Sequence, residues 1–157
     1  MAVSTPGAPM TERWLMVLLL VGLAACGGRD DAGDVGRYAG ATPEMLRMID
    51  ATSRRHGVPA DLVRGTVAAE SGFNPGARNG SYYGLMQIHP QTARTMGYRG
   101  APAGLLDAQT NLEYGVRYLR GAWLVSNGDR DEAVGWYRRG YYHEAKRMGL
   151  LEATGLR

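Results

Sequence analysis

The chain has 157 residues, the size of one domain plus a short appendage, and its 45% hydrophobic and 21% charged content is ordinary for a globular core. Its net charge of +3 comes almost entirely from arginine, with Lys146 the sole lysine, and the charges are spread along the chain, which argues against a dedicated nucleic-acid surface. Cys26 is the only cysteine, so no disulfide within the chain is available to hold the fold together.

The first element in chain order is an apolar run from Trp14 to Ala25, preceded by Arg13 and ending in small residues. Such a pattern predicts a secretory signal. At about 12 residues it is too short to span a bilayer comfortably, which takes about 20. Leu23-Ala24-Ala25-Cys26 resembles the lipobox of bacterial lipoproteins. That resemblance implies cleavage before Cys26 and lipidation of its thiol, with several acyl chains giving a stable membrane anchor. No aspartate follows the cysteine directly, which by resemblance to Gram-negative sorting favours the outer membrane, facing the periplasm. The expected organisation is a signal over residues 1–25, an anchor and flexible Gly/Asp-rich tether over 26–41, a domain over 42–150 and a C-terminal tail over 151–157.

Within the domain, Thr42-Pro43-Glu44 reads as a helix start, with Met45, Met48, Ile49 and Thr52 as its apolar stripe and Gly57 as its stop. A second helix opens at Pro59, carries Leu62, Val63, Thr66, Val67 and Glu70, and ends at Gly72. A long loop from Phe73 to Tyr83 leads to a short apolar element, Gly84 to Ile88, whose type the pattern leaves open. Pro90 begins a short helix ending at Gly97, and Asp107 caps the longest helix, with Leu112, Val116, Leu119 and Trp123 on one face. Further helices are expected near Asp131, with Val134, Trp136 and Tyr137, and from about Tyr141 to Met148. No period-2 run of strand type and no internal repeat occurs, so the expected class is mainly α.

Glu70 stands out on the second helix. Positions 59, 62, 63, 66, 67 and 70 share one face, and that face is apolar until the carboxylate. Burial disfavours a charge, and so does the negative end of the helix dipole, so both suit Glu70 to carrying a proton. A glutamate at a helix end can equally turn to solvent or pair with an arginine. No Asp or Glu occurs from Ser71 to Leu106, and the segment instead offers Ser71, Asn74, Asn79, Ser81, Tyr82, Tyr83 and Gln87. Hydroxyls, amides and aromatic faces suit the hydroxyls, N-acetyl groups and ring faces of sugars, although a tyrosine pair also serves as packing.

The blocks Glu70-Ser71-Gly72-Phe73-Asn74-Pro75 and Gly84-Leu85-Met86-Gln87-Ile88-His89-Pro90-Gln91-Thr92-Ala93 resemble the lytic transglycosylase family of the soluble (SLT) type. Asn111 through Tyr118-Leu119 resembles a third block, and Ala133 through Tyr137 and Gly140 a fourth. The resemblance implies a lysozyme-like, mainly α domain. It also implies non-hydrolytic cleavage of the MurNAc–GlcNAc β-1,4 bond of peptidoglycan, leaving a 1,6-anhydro-MurNAc end. It makes Glu70 the catalytic acid and then base, with Ser71, Asn79, Tyr83, Met86, Gln87 and Tyr137 as the expected substrate-binding residues. The partners implied are peptidoglycan glycan strands and, through Cys26, a membrane. No cofactor is called for, and His56, His89 and His143 lack metal-ligand spacing, so no metal site is expected.

Three positions depart from the family pattern. Tyr137 is followed by Arg138-Arg139-Gly140 where Asn-Ala-Gly is usual, Asn79 stands where a serine is often seen, and His89 where many members have methionine. A guanidinium in place of a neutral amide adds a fixed charge. Such changes imply altered strand or peptide-stem preference rather than lost chemistry. Two rivals stay open at this point. One is a goose-lysozyme-type hydrolase with Asp107 or Glu113 handling water, and the other is a wall-binding lipoprotein without activity.

Overall fold

A computed structural model describes residues 1–2 and 36–157, so the signal segment, Cys26 and most of the expected tether lie outside the described residues. Among the described residues no helix is long and apolar enough to cross a membrane. The domain is mainly helical, as its periodicity predicts. Helix α1 spans Pro43–His56 and α2 Ala60–Ser71; α3 is Pro90–Thr95, α4 Ala108–Val125, α5 Arg130–Arg139 and α6 Tyr142–Arg147. A 3-10 helix covers Pro102–Leu106.

The helix ends follow the local chemistry of the sequence. The Thr42 hydroxyl accepts from the Met45 amide at 3.2 Å, and Gly57 ends α1 in the left-handed region at φ 64°. Gly72 does the same for α2 at φ 58°, where a side chain would be strained. Asp107 and Asp129 cap α4 and α5 through their carboxylates. His89 was expected as a mere substitution for methionine, but its Nδ1 accepts from the Gln91 amide at 3.1 Å and caps α3.

One core cluster joins Leu46 and Ile49 of α1, Leu62, Val63 and Val67 of α2, Leu112, Val116 and Leu119 of α4, and Ala133 and Tyr137 of α5. The stripe expected on α1 is rotated slightly: Leu46, Ile49, Thr52 and Ser53 are buried, while Met45 and Met48 pack at its edge. A smaller cluster gathers Tyr83, Ile88, Ala93, Tyr98 and Leu105. Arg64, buried on α2, is tied to Asp50 of α1 by a bond of 3.0 Å from its Nε.

Two ends of the domain differ from the expected outline. Tyr38 packs against Phe73 with ring centroids 5.5 Å apart, and Ala41 is buried, so the end of the segment read as a tether lies on the core. Residues 151–155 form turns in which Thr154 is buried and Arg120 Nη1 donates to the Ala153 carbonyl at 2.8 Å.

A two-stranded antiparallel ribbon, Arg78–Asn79 (β1) with Tyr82–Tyr83 (β2), interrupts the helices, with Arg78 opposite Tyr83 and Asn79 opposite Tyr82. Strands of two residues are too short to write an alternating pattern, which is why periodicity does not reveal them. The chain then turns sharply through Gly84, and an isolated bridge pairs Tyr83 with Ile88. This turn is anchored from α4 by Asn111, which is fully buried. Its Nδ2 donates to the carbonyls of Tyr83 and Leu105, both at 2.7 Å, and its Oδ1 accepts from the Met86 amide at 2.8 Å. Gly84, at φ 70°, has no room for a Cβ beside that amide, and at Gly115 a Cβ would fall 2.6 Å from Met86 Sδ.

Replacing Asn111 by alanine takes their partner from the buried Met86 amide and the Leu105 carbonyl, while the Tyr83 carbonyl keeps the Ile88 amide at 3.1 Å. The expected cost is about 3 kcal/mol of unfolding free energy, read as a lower urea midpoint. A midpoint equal to that of the parent chain would show that the turn holds without the amide.

Candidate functional site

The C-terminal turn of α2, the β1–β2 ribbon and the C-terminal half of α5 surround a cavity of about 610 Å³. Its lining includes Glu70, Ser71, Arg78, Asn79, Tyr82, Gln87, Tyr137 and Arg138. A second cavity, of about 440 Å³, adjoins it and is lined by His89, Gln91, Thr92, Tyr118, Arg139 and Gly140 among others. Tyr82, Gln87, Tyr137 and Arg138 line both, so the two form one continuous groove.

Among the described residues, Glu70 is the only acid in the lining of either cavity. Its side chain keeps 19% of its exposure, and its Oε1 accepts from Arg138 Nε at 2.9 Å. The carboxylate at the end of the apolar stripe therefore both faces the groove and meets an arginine. The other acids considered for handling water are engaged elsewhere. Asp107 accepts from the Thr110 amide at 2.8 Å, and that backbone bond holds its carboxyl below the ordinary value. Glu113 bonds Arg55 and His56, both at 2.9 Å, which ties α4 to α1. Partial burial pushes the Glu113 carboxyl up, but Arg55 and His56 outweigh it and hold it below the ordinary value.

The neighbours of Glu70 are held by backbone. Ser71 Oγ donates to the Leu85 carbonyl at 2.8 Å, linking the end of α2 to the turn after the ribbon. Tyr137 Oη donates to the Met86 carbonyl at 2.8 Å rather than to Glu70. Burial, then the charge of Glu70 and the neighbouring Tyr118, push the Tyr137 hydroxyl well above the ordinary tyrosine value. It stays protonated and can accept a further hydrogen bond while donating to Met86. Gln87 Nε2 donates to the Gly84 and Ala77 carbonyls at 2.9 and 3.2 Å, which leaves its side-chain oxygen as the acceptor available to the groove. Gln87 has φ 44°, in the left-handed region. A non-glycine residue held there is strained, and such strain gathers at functional sites.

Of the residues expected to bind substrate, the fold brings Ser71, Asn79, Gln87 and Tyr137 together around Glu70. It does not bring the side chains of Met86 and Tyr83 there. Met86 is fully buried against Gly115 of α4 and offers only its backbone carbonyl, and Tyr83 is 8% exposed within the smaller core cluster. Tyr82, 50% exposed, is the tyrosine that faces the groove, edge-on to His89 with centroids 5.6 Å apart. Consecutive residues of a strand point to opposite faces, so only one of the pair can do so. Arg78 and Arg138 also line the groove, and neither was expected there as a contact. The replacement of the usual asparagine after Tyr137 was the available signal for Arg138.

Replacing Tyr137 by phenylalanine leaves the Met86 carbonyl without its partner. The expected loss is about 1–2 kcal/mol of stability, measured by chemical denaturation, with the helical circular-dichroism spectrum unchanged. No loss would mean that water replaces the hydroxyl.

The profile of the family described as "Transglycosylase SLT domain" matches residues 47–150. Over 92 residues the chain is 36% identical to the protein named membrane-bound lytic murein transglycosylase C of Mannheimia succiniciproducens, covering 54% of this chain and 25% of that protein. Proteins of the same name from Haemophilus influenzae strain PittEE and Actinobacillus succinogenes are 37% and 33% identical over the same length, again with 54% of this chain and 25% of the relative covered. The chain thus matches about a quarter of the length of these curated relatives.

Proposed function

Because the chain belongs to the Transglycosylase SLT domain family, with the mainly helical, lysozyme-like fold of that domain, we propose that it cleaves the glycan strands of bacterial peptidoglycan as a lytic transglycosylase. The bond cut is the MurNAc–GlcNAc β-1,4 linkage, and the product carries a 1,6-anhydro-MurNAc end. The observation that carries this reading is that, among the described residues, a single carboxylate, Glu70, lines the groove.

Glycosidases that use water or a covalent intermediate pair two carboxyl groups about 5–9.5 Å apart. An intramolecular attack needs one. Glu70, protonated, donates its proton to the leaving glycosidic oxygen as the bond to C1 breaks. The ionised carboxylate then takes the proton of the C6 hydroxyl as that oxygen bonds to C1, so the acid is regenerated and no water is consumed. Holding the C6 hydroxyl beside C1 contributes through effective concentration. In this reading the Gln87 side-chain oxygen and the Tyr137 hydroxyl oxygen accept from the sugar, Asn79 and Ser71 shape the wall, and Tyr82 offers a ring face to a pyranose.

Changing Glu70 to glutamine, which keeps shape but cannot cycle a proton, is expected to lower turnover of isolated sacculi by about 10²–10⁴-fold without unfolding the domain. Mass analysis of the products tests the reaction class: the parent chain is expected to leave anhydro ends. Reducing ends, heavier by one water, would make it a hydrolase instead, and an active glutamine variant would remove Glu70 from the chemistry.

The relatives are named as membrane-bound proteins. Together with the lipobox-like Leu23-Ala24-Ala25-Cys26, this supports association with the cell envelope through a lipid on Cys26, at the outer membrane facing the periplasm. Labelled palmitate is expected on the parent chain and not on its Cys26→Ser variant, and its absence from both would leave the protein unanchored by lipid.

A further inference from the structure

The groove carries an excess of positive charge. Its lining holds Arg78, Arg138 and Arg139 against one acid, Glu70. Two of these arginines lie against aromatic rings: Arg78 over Tyr83, 4.8 Å from its centroid, and Arg139 over Trp136, at 3.9 Å. Arg138 is placed differently. It lines both cavities, so it stands where they meet. Its one hydrogen bond among the described residues is to Glu70, made through Nε, and its side chain is 56% exposed. The Nη donors of the guanidinium therefore have no acceptor among the described residues, and the geometry of the fork suits a second carboxylate.

Glu70 itself cannot hold Arg138 throughout a reaction in which it carries a proton. A neutral acid is a poor partner for a guanidinium, and leaving that cation unpaired as the groove fills with sugar is unfavourable. An anion on the ligand removes the difficulty: it takes over Arg138 and leaves Glu70 free to carry its proton.

We propose that Arg138 is a specificity-determining residue that binds a carboxylate borne by the glycan strand beside the cut, exchanging Glu70 for it as the strand enters. The inference rests on the reading of the groove as a peptidoglycan site. It adds that the substrate class is an acidic strand rather than a neutral one. Two sources supply the same chemistry: the lactyl carboxylate of MurNAc, free where the peptide stem has been removed, and the carboxylates of the stem itself.

The test is an equilibrium titration of the full chain with three soluble strand preparations: stem-bearing, stem-free with free lactyl carboxylates, and stem-free with those carboxylates converted to primary amides. The parent chain is expected to bind at least one acidic preparation about tenfold more tightly than the amide-capped strand. Whichever acidic strand shows the preference identifies the source. In Arg138→Asn the preference is expected to vanish while affinity for the amide-capped strand stays as it was. Arg138→Lys, which keeps the charge but loses the fork, is expected to retain part of it.

Equal affinity of the parent chain for all three strands, or the same preference in Arg138→Asn, would overturn the proposal. Arg138 is largely exposed, so these variants are expected to fold, which the circular-dichroism spectrum checks. Product analysis on the same strands is separate from binding. Reducing ends from a chain that keeps its Arg138-dependent preference would overturn the lyase reading and leave this one standing. Anhydro ends without the preference would do the reverse.

Discussion

The groove depends on a short stretch of backbone, Tyr83 to Met86, that belongs to no helix and has to be held from outside. Asn111 holds it from α4 by two hydrogen bonds, to the Tyr83 carbonyl and the Met86 amide, while a third, to the Leu105 carbonyl, fixes the side chain itself in a fully buried setting. Once that stretch is immobile, its carbonyls become attachment points. Leu85 receives the hydroxyl of Ser71, which locates the last turn of α2, and Met86 receives the hydroxyl of Tyr137, which locates α5. Glu70 and Arg138 are each one residue from these fastened side chains. Their 2.9 Å contact is therefore set by two helices fixed to the same backbone rail. A buried amide can do this because every one of its polar groups is satisfied there. A half-satisfied one would cost more than it held.

The same rail explains why certain residues are small or strained. Gly84 turns the chain where a Cβ would strike the Asn111 amide, and Gly115 lets Met86 lie directly on α4. Gln87 follows in a left-handed conformation without the excuse of being glycine. Its amide nitrogen compensates locally by bonding the Gly84 and Ala77 carbonyls, so the side chain is stiffened as well as the backbone. A side chain with few rotamers left to lose would contact a ligand at lower entropic cost.

Much of this was legible in the residues themselves. Capping chemistry marks Thr42, Gly57, Gly72 and Asp107, and the apolar period of α2 singles out Glu70, because each depends on neighbours within a turn or two of chain. What was not legible depends on distant partners or on very short elements. The ribbon is two residues per strand, too brief for a period, so Tyr82 and Tyr83 could not be told apart by face. Met86 sits within a recognisable block, yet its position on the buried side of the turn follows from a glycine 29 positions later in the chain, on α4. The capping role of His89 was hidden because histidine is not a usual cap.

Arg138 is the residue whose meaning changed most between chain and fold. In sequence it is a departure from a pattern that adds a fixed charge and implies an altered strand or peptide-stem preference. In space it pairs with Glu70, the one carboxylate that lines the groove among the described residues. An exposed ion pair contributes little to stability, typically under about 1 kcal/mol, so stability is a weak reason for its position. Its effect on charge is larger. With Glu70 ionised the pair is neutral; with Glu70 protonated it carries a full positive charge in a groove already lined by two other arginines. The protonated state that the proposed cleavage calls for is thus the state in which the groove most strongly attracts an anion. In the proposed mechanism that coupling would join the acid chemistry of Glu70 to the charge of the strand, and it arises from a single guanidinium next to a buried tyrosine.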